Sequence, residues 1–506
     1  MAKAIMIQGT MSNAGKSLLT AGLCRVFHQD GFKVAPFKSQ NMALNSFITD
    51  SGAEMGRAQV VQAEAAGVKP DVAMNPILLK PIGDAGSQVI VNGVPIGNYK
   101  AAEYYAMKSG LVGEIQKAYD KLAAEYDIIV IEGAGSPEEI NLKKDDFVNM
   151  GMAKMAQAPV LLVGDIDRGG LFASVYGTLM LLDEDERAMV KGVVVNKFRG
   201  DVALLRPGLT MLEDLTQVSV LGVVPMLKVD IEEEDSVAER LHTYHAPAAV
   251  DIAVISLPRM SNFTDFNIFE LQPDVSVRYV KSVASLGNPD LIIIPGTKNT
   301  IDDLLWLRQN GLEAEIISRA YAGVVVFGIC GGYQMLGKML ADPFGVEAGG
   351  ETAGLGLLDV ETVFAEQKRT IRVNGSFGKV DGIFKALSGL PFVGYEIHSG
   401  VSKAAAATSL TTITPIFEEG GAIAEGAQNV QGSLNVYGSY VHGIFDAAGI
   451  TEVIIKALLA KKGLNRDINA TFNFAEYKEQ QYDILAACIR KNLDMKKVYD
   501  ILNVGL

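Results

Sequence analysis

Cysteine, histidine and tryptophan are scarce in this chain. It has 3 cysteines, 5 histidines and 1 tryptophan among 506 residues. The cysteines stand at positions 24, 330 and 488 without paired spacing, so the sequence predicts neither a disulfide framework nor a cysteine-based zinc site. A cysteine that takes part in chemistry here must therefore act as a single thiol.

Long apolar runs and an excess of basic residues are also absent. No apolar run reaches the roughly 20 residues that a membrane-spanning helix needs, and the N-terminus enters a strand pattern without a secretion signal. The formal net charge of −14 argues against a nucleic-acid surface, which needs a basic face. We therefore expect a cytoplasmic protein that binds neither nucleic acid nor a membrane.

What remains is ordinary globular composition in a long chain. The hydrophobic fraction is 49% and the charged fraction is 21%. A chain of this length exceeds what one hydrophobic core serves, so the sequence predicts two or three domains.

β-branched runs bounded by turn residues alternate with helical patterns in the first half. Continuous apolar runs of this length are typical of strands buried on both faces of a parallel sheet. Strands that alternate with helices predict a doubly wound α/β domain. The predicted strands are residues 4–8, 33–37, 128–131, 160–163, 192–195 and 220–224, and the first predicted helix is Lys16–Gln29.

A glycine-rich loop stands between the first predicted strand and the first predicted helix. Residues 9–17 read Gly-Thr-Met-Ser-Asn-Ala-Gly-Lys-Ser. In such a loop backbone N–H groups turn toward phosphate oxygens, the lysine reaches the β- and γ-phosphates, and the serine hydroxyl holds Mg²⁺. The pattern predicts an ATP-binding P-loop, although Gly9 lies one residue too early for the standard spacing. The predicted ATP-binding residues of the loop are Thr10, Asn13, Ala14, Gly15, Lys16 and Ser17.

Polar side chains follow several further strands of this half, at the edge where sheets of this kind bind ligands. Lys38 is suited to neutralise charge on a transferred phosphoryl group. Glu132 ends a buried strand, where a carboxylate needs a cation, and Mg²⁺ is a natural partner. Asn196 is placed to read an adenine edge, and Asp165 and Asp167 are possible further members. Each residue alone is equally consistent with a cap or a turn, but their recurrence favours a site.

A second glycine-rich turn follows a β-branched run at 324–327. Residues 328–334 read Gly-Ile-Cys-Gly-Gly-Tyr-Gln. This turn presents Cys330 as the nucleophile elbow of hydrolases presents its serine, and a helix N-terminus favours the thiolate. We expect the N–H of Gly331 and a donor near Gly296 to form an oxyanion hole. Cys24 and Cys488 lack such surroundings and are expected to be inert.

Cysteine catalysis needs an acid–base partner, and five histidines are available. His28, His242 and His245 have no motif around them. His442 follows a strand pattern and is the preferred general acid and base, whereas His398 is the alternative, with a structural or site-lining role.

Several motifs together carry a family resemblance. Residues 328–334 with Tyr-Val-His-Gly at 440–443 resemble a class I glutamine amidotransferase domain. The variant P-loop, whose spacing resembles the dethiobiotin-synthetase-like branch, precedes it together with Asp-Ile-Asp-Arg-Gly-Gly at 165–170 and Asn-Lys-Phe-Arg-Gly at 196–200. This order closely resembles the adenosylcobyric acid synthase family of cobalamin biosynthesis.

The resemblance implies an α/β architecture in two catalytic parts. Residues 1–229 would be a doubly wound P-loop synthetase domain, and residues 250–448 a flavodoxin-like class I amidotransferase domain. The acidic, apolar-poor stretch 230–249 is predicted as a linker, and residues 449–506 as a C-terminal helical extension with two helical patterns. Helical patterns also predict one helix over residues 299–322 and another over residues 333–340.

The resemblance also implies the reaction and its site. An ATP- and Mg²⁺-dependent ligase would take glutamine and a corrinoid, adenosylcobyrinic acid a,c-diamide, and amidate its b, d, e and g carboxylates. Cys330 and His442 would be catalytic, with Gly296, Gly331 and Gln334 in the oxyanion and glutamine loop. Ordinary class I enzymes carry a glutamate two residues after the histidine, where this chain has isoleucine, so the orienting third member is absent or supplied elsewhere.

Three other functions compete with this interpretation. A cobyrinic acid a,c-diamide synthase shares both halves of the architecture, although residues 37–42 and 165–170 resemble the cobyric branch more closely. A partitioning-type ATPase switch would leave Cys330 and His442 unexplained. A glutaminase-linked module that amidates cell wall is the third alternative.

Overall fold

The fold is taken from a computed structural model that describes residues 2–83, 86–232, 248–404, 409–417, 420–464 and 472–506. The contacts between residues divide the chain into two compact units. The first unit comprises Met1–Ala43, Met55–Glu232 and Ala475–Leu506, and the second comprises Leu44–Glu54 and Glu233–Phe474. Most of the predicted linker, residues 233–247, lies outside the described residues.

The chain up to residue 232 alternates strands and helices. Its strands are Lys3–Gly9 (β1), Val34–Phe37 (β2), Gln40–Met42 (β3), Ser46–Ile48 (β4), Glu54–Gly56 (β5), Ile77–Gly83 (β6), Gly86–Val91 (β7), Val94–Lys100 (β8), Ile128–Glu132 (β9), Val160–Asp165 (β10), Val190–Phe198 (β11) and Val220–Pro225 (β12). Its α-helices are Lys16–Gln29 (α1), Arg57–Ala65 (α2), Ala101–Met107 (α3), Val112–Glu125 (α4), Met150–Ala156 (α5), Leu171–Leu181 (α6), Glu184–Met189 (α7) and Val202–Thr216 (α8).

A six-stranded parallel sheet with the order β12-β11-β10-β1-β9-β2 forms the centre of the first unit. Every residue of β9 and β10 is buried, as their continuous apolar sequences predict. All six strands predicted from the first half of the sequence lie in this sheet. Their carboxyl ends meet at one edge, and the loop after β1 begins there. A smaller sheet, β3-β6-β7-β8, also belongs to this unit, and β4 and β5 pair in a separate two-stranded sheet.

The remainder of the chain builds the second unit and returns to the first. Its strands are Val250–Ile255 (β13), Val275–Val280 (β14), Leu291–Ile294 (β15), Val325–Ile329 (β16), Met339–Asp342 (β17), Gly350–Ala353 (β18), Val360–Phe377 (β19), Pro391–Ala404 (β20), Thr411–Pro415 (β21), Ile423–Glu425 (β22), Ala427–Asn429 (β23) and Val436–Ser439 (β24). Its α-helices are Asn267–Glu270 (α9), Val283–Leu286 (α10), Thr300–Gln309 (α11), Leu312–Tyr321 (α12), Gly331–Leu336 (α13), Ile450–Lys461 (α14), Phe474–Asn492 (α15) and Met495–Val504 (α16).

The main sheet of the second unit has the order β14-β13-β15-β16-β24-β23, in which only β23 runs antiparallel to its neighbour. The parallel part therefore follows the 2-1-3-4-5 order of flavodoxin-like folds. A second sheet is built around the long hairpin of β19 and β20. The α/β class expected for both halves is thus confirmed.

The last two helices pack on the first unit. Arg25 of α1 pairs with Glu479 and Asp483 of α15, each at 2.8 Å. A Cβ on Gly22 of α1 would lie 2.8 Å from Cγ1 of Ile489, so the two helices are in close contact. The side chains of α15 and α16 that share a core with β1 and α1 are Tyr482, Leu485, Ala486, Ile489, Val498 and Leu502. The proposed extension therefore supplies part of this unit's hydrophobic core.

Three predicted helical segments end differently in the structure. The stretch 299–322 is two helices, because Gly311 takes a left-handed conformation with φ 79° between them. The helix after Cys330 ends at Leu336, four residues earlier than predicted, and a strand follows. The described residues of the tail form three helices where two were predicted. None of the helices among the described residues has both the length and the apolar character required to cross a membrane.

Candidate active site

The glycine-rich loop after β1 closes tightly around its own lysine. Gly15 has φ 94°, and a Cβ there would lie 2.1 Å from Nδ2 of Asn196, so only glycine fits. Lys16 Nζ donates to the carbonyl oxygens of Gly135 at 2.8 Å and Met11 at 3.1 Å. Burial lowers the pKa of Lys16 to about 8, against the opposing charge of the nearby carboxylate at the end of β9. A phosphate oxygen could replace these carbonyl contacts and favour the charged lysine.

Glu132 stands at the centre of this site. Its Oε1 accepts hydrogen bonds from Ser17 Oγ at 2.8 Å and from Lys38 Nζ at 2.9 Å, and its Oε2 accepts one from Gln62 Nε2 at 2.5 Å. Burial raises the pKa of Glu132, but the Lys38 ammonium and the three hydrogen bonds outweigh it and hold the pKa below its usual value. The carboxylate is therefore ionised although it is only 1% exposed.

The oxygen donors at this point fit a magnesium ion. Ser17 Oγ and the ionised Glu132 carboxylate are hard oxygen ligands, 2.8 Å apart. Among the described residues no group of three or more His, Cys, Asp or Glu side chains could hold a metal. Magnesium needs no such cage when one or two protein oxygens are completed by nucleotide phosphates and water.

The other predicted strand-end residues meet at the same edge. Asn196 Nδ2 donates to the carbonyl of Ala14 at 2.9 Å, so in this structure the side chain holds the loop. Asp165 pairs with Lys197 at 3.0 Å, and the same Lys197 Nζ donates to the carbonyl of Asn13 at 2.6 Å. Asp167 forms a separate pair with Arg199 at 2.8 Å.

Buried polar atoms without a hydrogen-bond partner cluster near this edge. They include Oγ1 of Thr10, which is 2% exposed, and Oε1 of Gln62. Buried polar groups are nearly always paired, so these atoms are suited to receive a ligand. Sequence reasoning singled out Thr10 but missed Gln62, because no motif spacing marks a residue of α2 that reaches the end of β9.

Cys330 occupies a strained turn between β16 and α13. Its φ of 51° and ψ of −108° are unusual for a residue other than glycine. A Cβ on Gly332 would lie 1.9 Å from the carbonyl oxygen of Ile294, and one on Gly331 would lie 2.8 Å from Cγ2 of Thr297. The flanking glycines are thus required by close packing, which is how an elbow projects its central side chain.

His442 lies beside this thiol. A Cβ placed on Gly296 would lie 3.0 Å from Cε1 of His442 and 3.6 Å from Cβ of Cys330, so the three residues converge. The nearby Cys330 thiol also contributes to raising the pKa of His442. The structure therefore brings together the predicted nucleophile, its predicted base and the predicted oxyanion loop.

Asp265 supplies an orienting carboxylate for His442. Its Oδ2 lies 2.7 Å from His442 Nδ1, and its Oδ1 accepts the backbone N–H of Gly443 at 3.0 Å. Burial alone would lower the pKa of His442, but the charge and hydrogen bond of Asp265, together with those of Cys330, raise it to about 10. Sequence reasoning missed Asp265, which lies 177 positions before the histidine and belongs to no motif.

His398 is engaged elsewhere. Its Nδ1 lies 2.7 Å from the carbonyl oxygen of Gly400, and its ring stacks on Tyr440 with centroids 3.6 Å apart. Its Nε2 lies 3.8 Å from Glu396 Oε2, too far for a hydrogen bond. The preceding residue does reach the nucleophile, because the carbonyl oxygen of Ile397 lies 3.7 Å from Cys330 Sγ.

Gln334 is held one helical turn after Cys330. Its Oε1 accepts a hydrogen bond from Thr300 Oγ1 at 3.0 Å, and its Nε2 donates to Tyr440 Oη at 3.2 Å. Thr300 is itself fixed by Glu347, whose Oε2 accepts the Thr300 N–H at 2.5 Å. Gln334 is therefore rigidly placed next to the nucleophile.

Replacing Asp265 with asparagine tests whether His442 needs the charge of Asp265 and not only a side chain of its shape. Asp265→Asn keeps the shape but removes the charge that holds His442 protonated, so we expect glutaminase kcat to fall roughly 10³-fold. The alkaline limb of its pH profile should also move to lower pH, since the imidazolium that persists to about pH 10 is lost earlier. Asp302→Asn, which makes the same change on α11, is the control. An alkaline limb of the pH profile that stays unchanged in Asp265→Asn would contradict the role of Asp265 as the partner of His442.

Known proteins resemble this chain over its whole length. Residues 5–237 match a family described as the CobQ/CobB/MinD/ParA nucleotide binding domain, and residues 251–450 match the CobB/CobQ-like glutamine amidotransferase domain. A cobyric acid synthase of Ruminiclostridium cellulolyticum is 60% identical, with 100% of this chain and 98% of that protein covered. Cobyric acid synthases of Lachnoclostridium phytofermentans and Yersinia enterocolitica are 56% and 54% identical, covering 100% and 98% of this chain and 100% and 98% of those proteins.

These matches agree with the order of the two catalytic parts along the chain. The first family covers the phosphate loop and the central sheet behind it, and the second covers the elbow with its histidine. The chain is an enzyme and belongs to the cobyric acid synthase family, a family of ligases that carry a glutamine amidotransferase domain.

Proposed function

We propose that this enzyme uses ATP and glutamine to amidate the b, d, e and g side-chain carboxylates of adenosylcobyrinic acid a,c-diamide, giving adenosylcobyric acid. The observation that carries the proposal is the convergence of Cys330, His442 and Asp265 in a chain that also holds a phosphate loop. One site releases ammonia and the other activates a carboxylate, and amide synthesis from glutamine needs both. Its nucleotide and amino acid substrates are cytoplasmic metabolites, which agrees with a cytoplasmic enzyme.

The first unit activates the acceptor. A carboxylate does not react with ammonia because its oxygen is a poor leaving group, so the γ-phosphoryl group of ATP is transferred to it, leaving ADP and an acyl phosphate. Lys16 and Lys38 stabilise the negative charge that builds on the phosphoryl oxygens. Ser17 and Glu132 would hold Mg²⁺, which supplies further positive charge to the phosphates when bound.

The second unit releases ammonia from glutamine. The Cys330 thiolate attacks the carboxamide carbon, and backbone N–H groups at Gly331 and near Gly296 donate hydrogen bonds to the developing oxyanion. His442, kept as imidazolium by Asp265, gives its proton to the amide nitrogen as the C–N bond breaks, so that this nitrogen leaves as ammonia. Water then hydrolyses the thioester to glutamate, with His442 as the base.

The two products meet in the last step. Ammonia, as the unprotonated nucleophile, attacks the acyl phosphate carbon, and the C–O bond to phosphate breaks to give the amide and inorganic phosphate. Four carboxylates require four such cycles, so the acceptor pocket must admit the corrinoid in several orientations. We propose that the phosphate-site part extends over residues 1–229 and the amidotransferase part over 250–448, with the linker between them.

Counting amides by mass spectrometry tests the proposal. The purified enzyme is incubated with ATP, Mg²⁺, glutamine and either cobyrinic acid or adenosylcobyrinic acid a,c-diamide. We expect four new amides on the diamide and stoichiometric ADP and glutamate. Two new amides on cobyrinic acid, with none on the diamide, would instead identify a cobyrinic acid a,c-diamide synthase.

A further inference from the structure

Asp303 is a fully buried carboxylate in the unit that carries the Cys330 elbow. It lies in the first turn of α11, and its side chain is 0% exposed. A buried carboxylate is costly unless opposite charge and hydrogen bonds hold it in place. The partners of Asp303 therefore show which parts of the chain this carboxylate fixes.

Asp303 connects two separate segments of the second unit. The first is the loop between β15 and α11, residues 295–299, here called the oxyanion loop. Within this loop Thr297 Oγ1 donates to Oδ2 of Asp303 at 2.5 Å. The second segment follows β13, where the backbone N–H of Arg259 donates to the same Oδ2 at 3.1 Å and its Nη1 donates to Oδ1 at 2.9 Å. One carboxylate thus binds both segments.

Backbone hydrogen bonds join the same two segments. The N–H of Ser261 donates to the carbonyl of Gly296 at 2.9 Å, and the N–H of Lys298 donates to the carbonyl of Arg259 at 3.1 Å. These two bonds flank Thr297 on both sides. The position of the oxyanion loop is therefore set by two backbone bonds together with the buried carboxylate.

The oxyanion loop borders the nucleophile. A Cβ on Gly331 would lie 2.8 Å from Cγ2 and 3.2 Å from the backbone nitrogen of Thr297. A Cβ on Gly296 would lie 3.6 Å from Cβ of Cys330. The two segments that are expected to donate to the oxyanion are thus packed against each other. Because a misplacement of about 1 Å can cost 10²-fold in rate, the groups that fix this loop matter for catalysis.

The segment after β13 has a second anchor that does not involve Asp303. It continues into the 3₁₀ turn Phe263–Phe266, which carries Asp265. Asp265 lies 2.7 Å from His442 Nδ1 and accepts the N–H of Gly443 at 3.0 Å. We therefore expect Asp265 and His442 to keep their arrangement when Asp303 is changed. The oxyanion loop is the part whose position depends on Asp303.

We propose that Asp303 is a positioning residue of the glutaminase, which fixes the oxyanion loop against the Cys330 elbow through Thr297 and Arg259. The inference rests on the proposed function and adds to its amidotransferase site a residue that acts through others. The carboxylate is buried and accepts three hydrogen bonds, so it acts on the loop and not on glutamine. The oxyanion forms only after glutamine has bound, so loss of Asp303 lowers kcat and not the affinity for glutamine.

Asp303→Asn in the full-length enzyme tests this role. The carboxylate only accepts hydrogen bonds, whereas an amide must turn its NH₂ group toward either the guanidinium of Arg259 or the donors at Oδ2. At least one of these donors then loses its acceptor. Asp251→Asn is the matched control, because it breaks a pair with Arg278, with two hydrogen bonds of 2.8 Å, at the start of β13 in the same unit.

The expected result is a defect in glutamine hydrolysis that is confined to kcat. Glutamate release is measured with ATP, Mg²⁺ and adenosylcobyrinic acid a,c-diamide, and amide formation is measured with ammonium chloride in place of glutamine. In Asp303→Asn the kcat for glutamate release should fall roughly 10²-fold, with little change in KM for glutamine or in ammonia-dependent synthesis. Asp251→Asn should behave like the unmodified enzyme.

Alkylation of Cys330 distinguishes a misplaced oxyanion loop from a general disturbance of the site. Iodoacetamide reacts with the thiolate without forming an oxyanion, so its rate depends on Cys330 and His442 and not on the loop. Mass spectrometry of the peptide that contains Cys330 separates this reaction from that of the other cysteines. We expect Asp303→Asn to be alkylated at the unmodified rate and with the unmodified pH profile.

Two variants of Thr297 test the same contact from its other side. Thr297→Val removes the hydroxyl that Asp303 binds but keeps a methyl group toward Gly331, so it should lower kcat in the same way. Thr297→Ser keeps the hydroxyl and should have a clearly higher kcat than Thr297→Val. The double variant Asp303→Asn/Thr297→Val should fall little further than Asp303→Asn alone, because both changes remove one shared interaction. The comparison of valine with serine decides the matter even if Asp303→Asn does not fold.

Three results would overturn the proposal. These are a glutaminase kcat that Asp303→Asn leaves unchanged, a slower alkylation of Cys330 or a raised KM for glutamine that accounts for the fall in activity, and a Thr297→Ser enzyme as slow as Thr297→Val. Each of them leaves the proposed amidation intact, because that depends on the amide count of the unmodified enzyme.

Discussion

Cys330→Ser is expected to abolish glutamine-dependent amidation while ammonia-dependent amidation continues. The serine hydroxyl is far less acidic than a thiol, and loss of an enzyme's nucleophile typically costs roughly 10⁴-fold or more. The first unit retains its phosphate site, so added ammonia should still react with the acyl phosphate. Amide formation is followed by mass spectrometry with glutamine and with ammonium chloride at alkaline pH, where free ammonia is abundant.

A second cysteine provides the control for this experiment. Cys488 lies on α15 in the first unit, its thiol accepts a hydrogen bond from Asn492, and burial raises its pKa. Cys488→Ser should therefore keep both activities. Loss of both activities in Cys330→Ser, with an unchanged melting temperature, would show that Cys330 acts in synthesis and is not solely the glutaminase nucleophile.

Lys16→Met should produce the complementary defect. The methionine keeps most of the side-chain length but removes the ammonium that stabilises the phosphoryl group, so synthesis should fall roughly 10²- to 10³-fold with either nitrogen source. Basal glutamate release without ATP should persist, because Cys330 and His442 are untouched. Product amides and glutamate are measured in the same reactions.

The hydrogen-bond partners of Lys16 make the effect of its replacement easy to interpret. Its ammonium contacts two backbone carbonyls, so its removal leaves no carboxylate that depended on it for a salt bridge. Lys33→Met, at an exposed position before β2, is the matched control and should have normal activity. Normal ATP-dependent synthesis by Lys16→Met would contradict the assignment of the loop to the phosphates.

The pH dependence of stability follows from His442. The pKa of His442 is about 10 in the folded protein and near 6.5 in the unfolded chain. The charged histidine therefore makes its full contribution to the free energy of unfolding below pH 6.5. The contribution is lost as the pH rises toward 10. Asp265→Asn should remove much of this contribution, because the asparagine amide carries no charge to stabilise the imidazolium.

Local sequence was sufficient for the elements whose cause is local. The phosphate loop and the Cys330 elbow each need glycines within a few residues of the reactive side chain. These glycines are visible in the sequence as close neighbours of Lys16 and Cys330. The six parallel strands of the first unit were predictable for a similar reason, since burial on both faces demands continuous apolar runs. The hairpin of β7 and β8 escaped prediction although its Asn92-Gly93 turn, with φ 48° and 80°, is a local signal.

The tertiary structure decided everything that depends on residues far apart in the chain. Asp265 reaches His442, Gln62 reaches Glu132, Leu44–Glu54 joins the second unit, and α15 covers α1. No periodicity or spacing marks these partners, because the energy that selects them comes from burial, pairing and hydrogen bonds formed only after the chain has folded. The sequence by itself determined which chemistries the chain carries, whereas the packing of distant segments decided which side chains orient and support them.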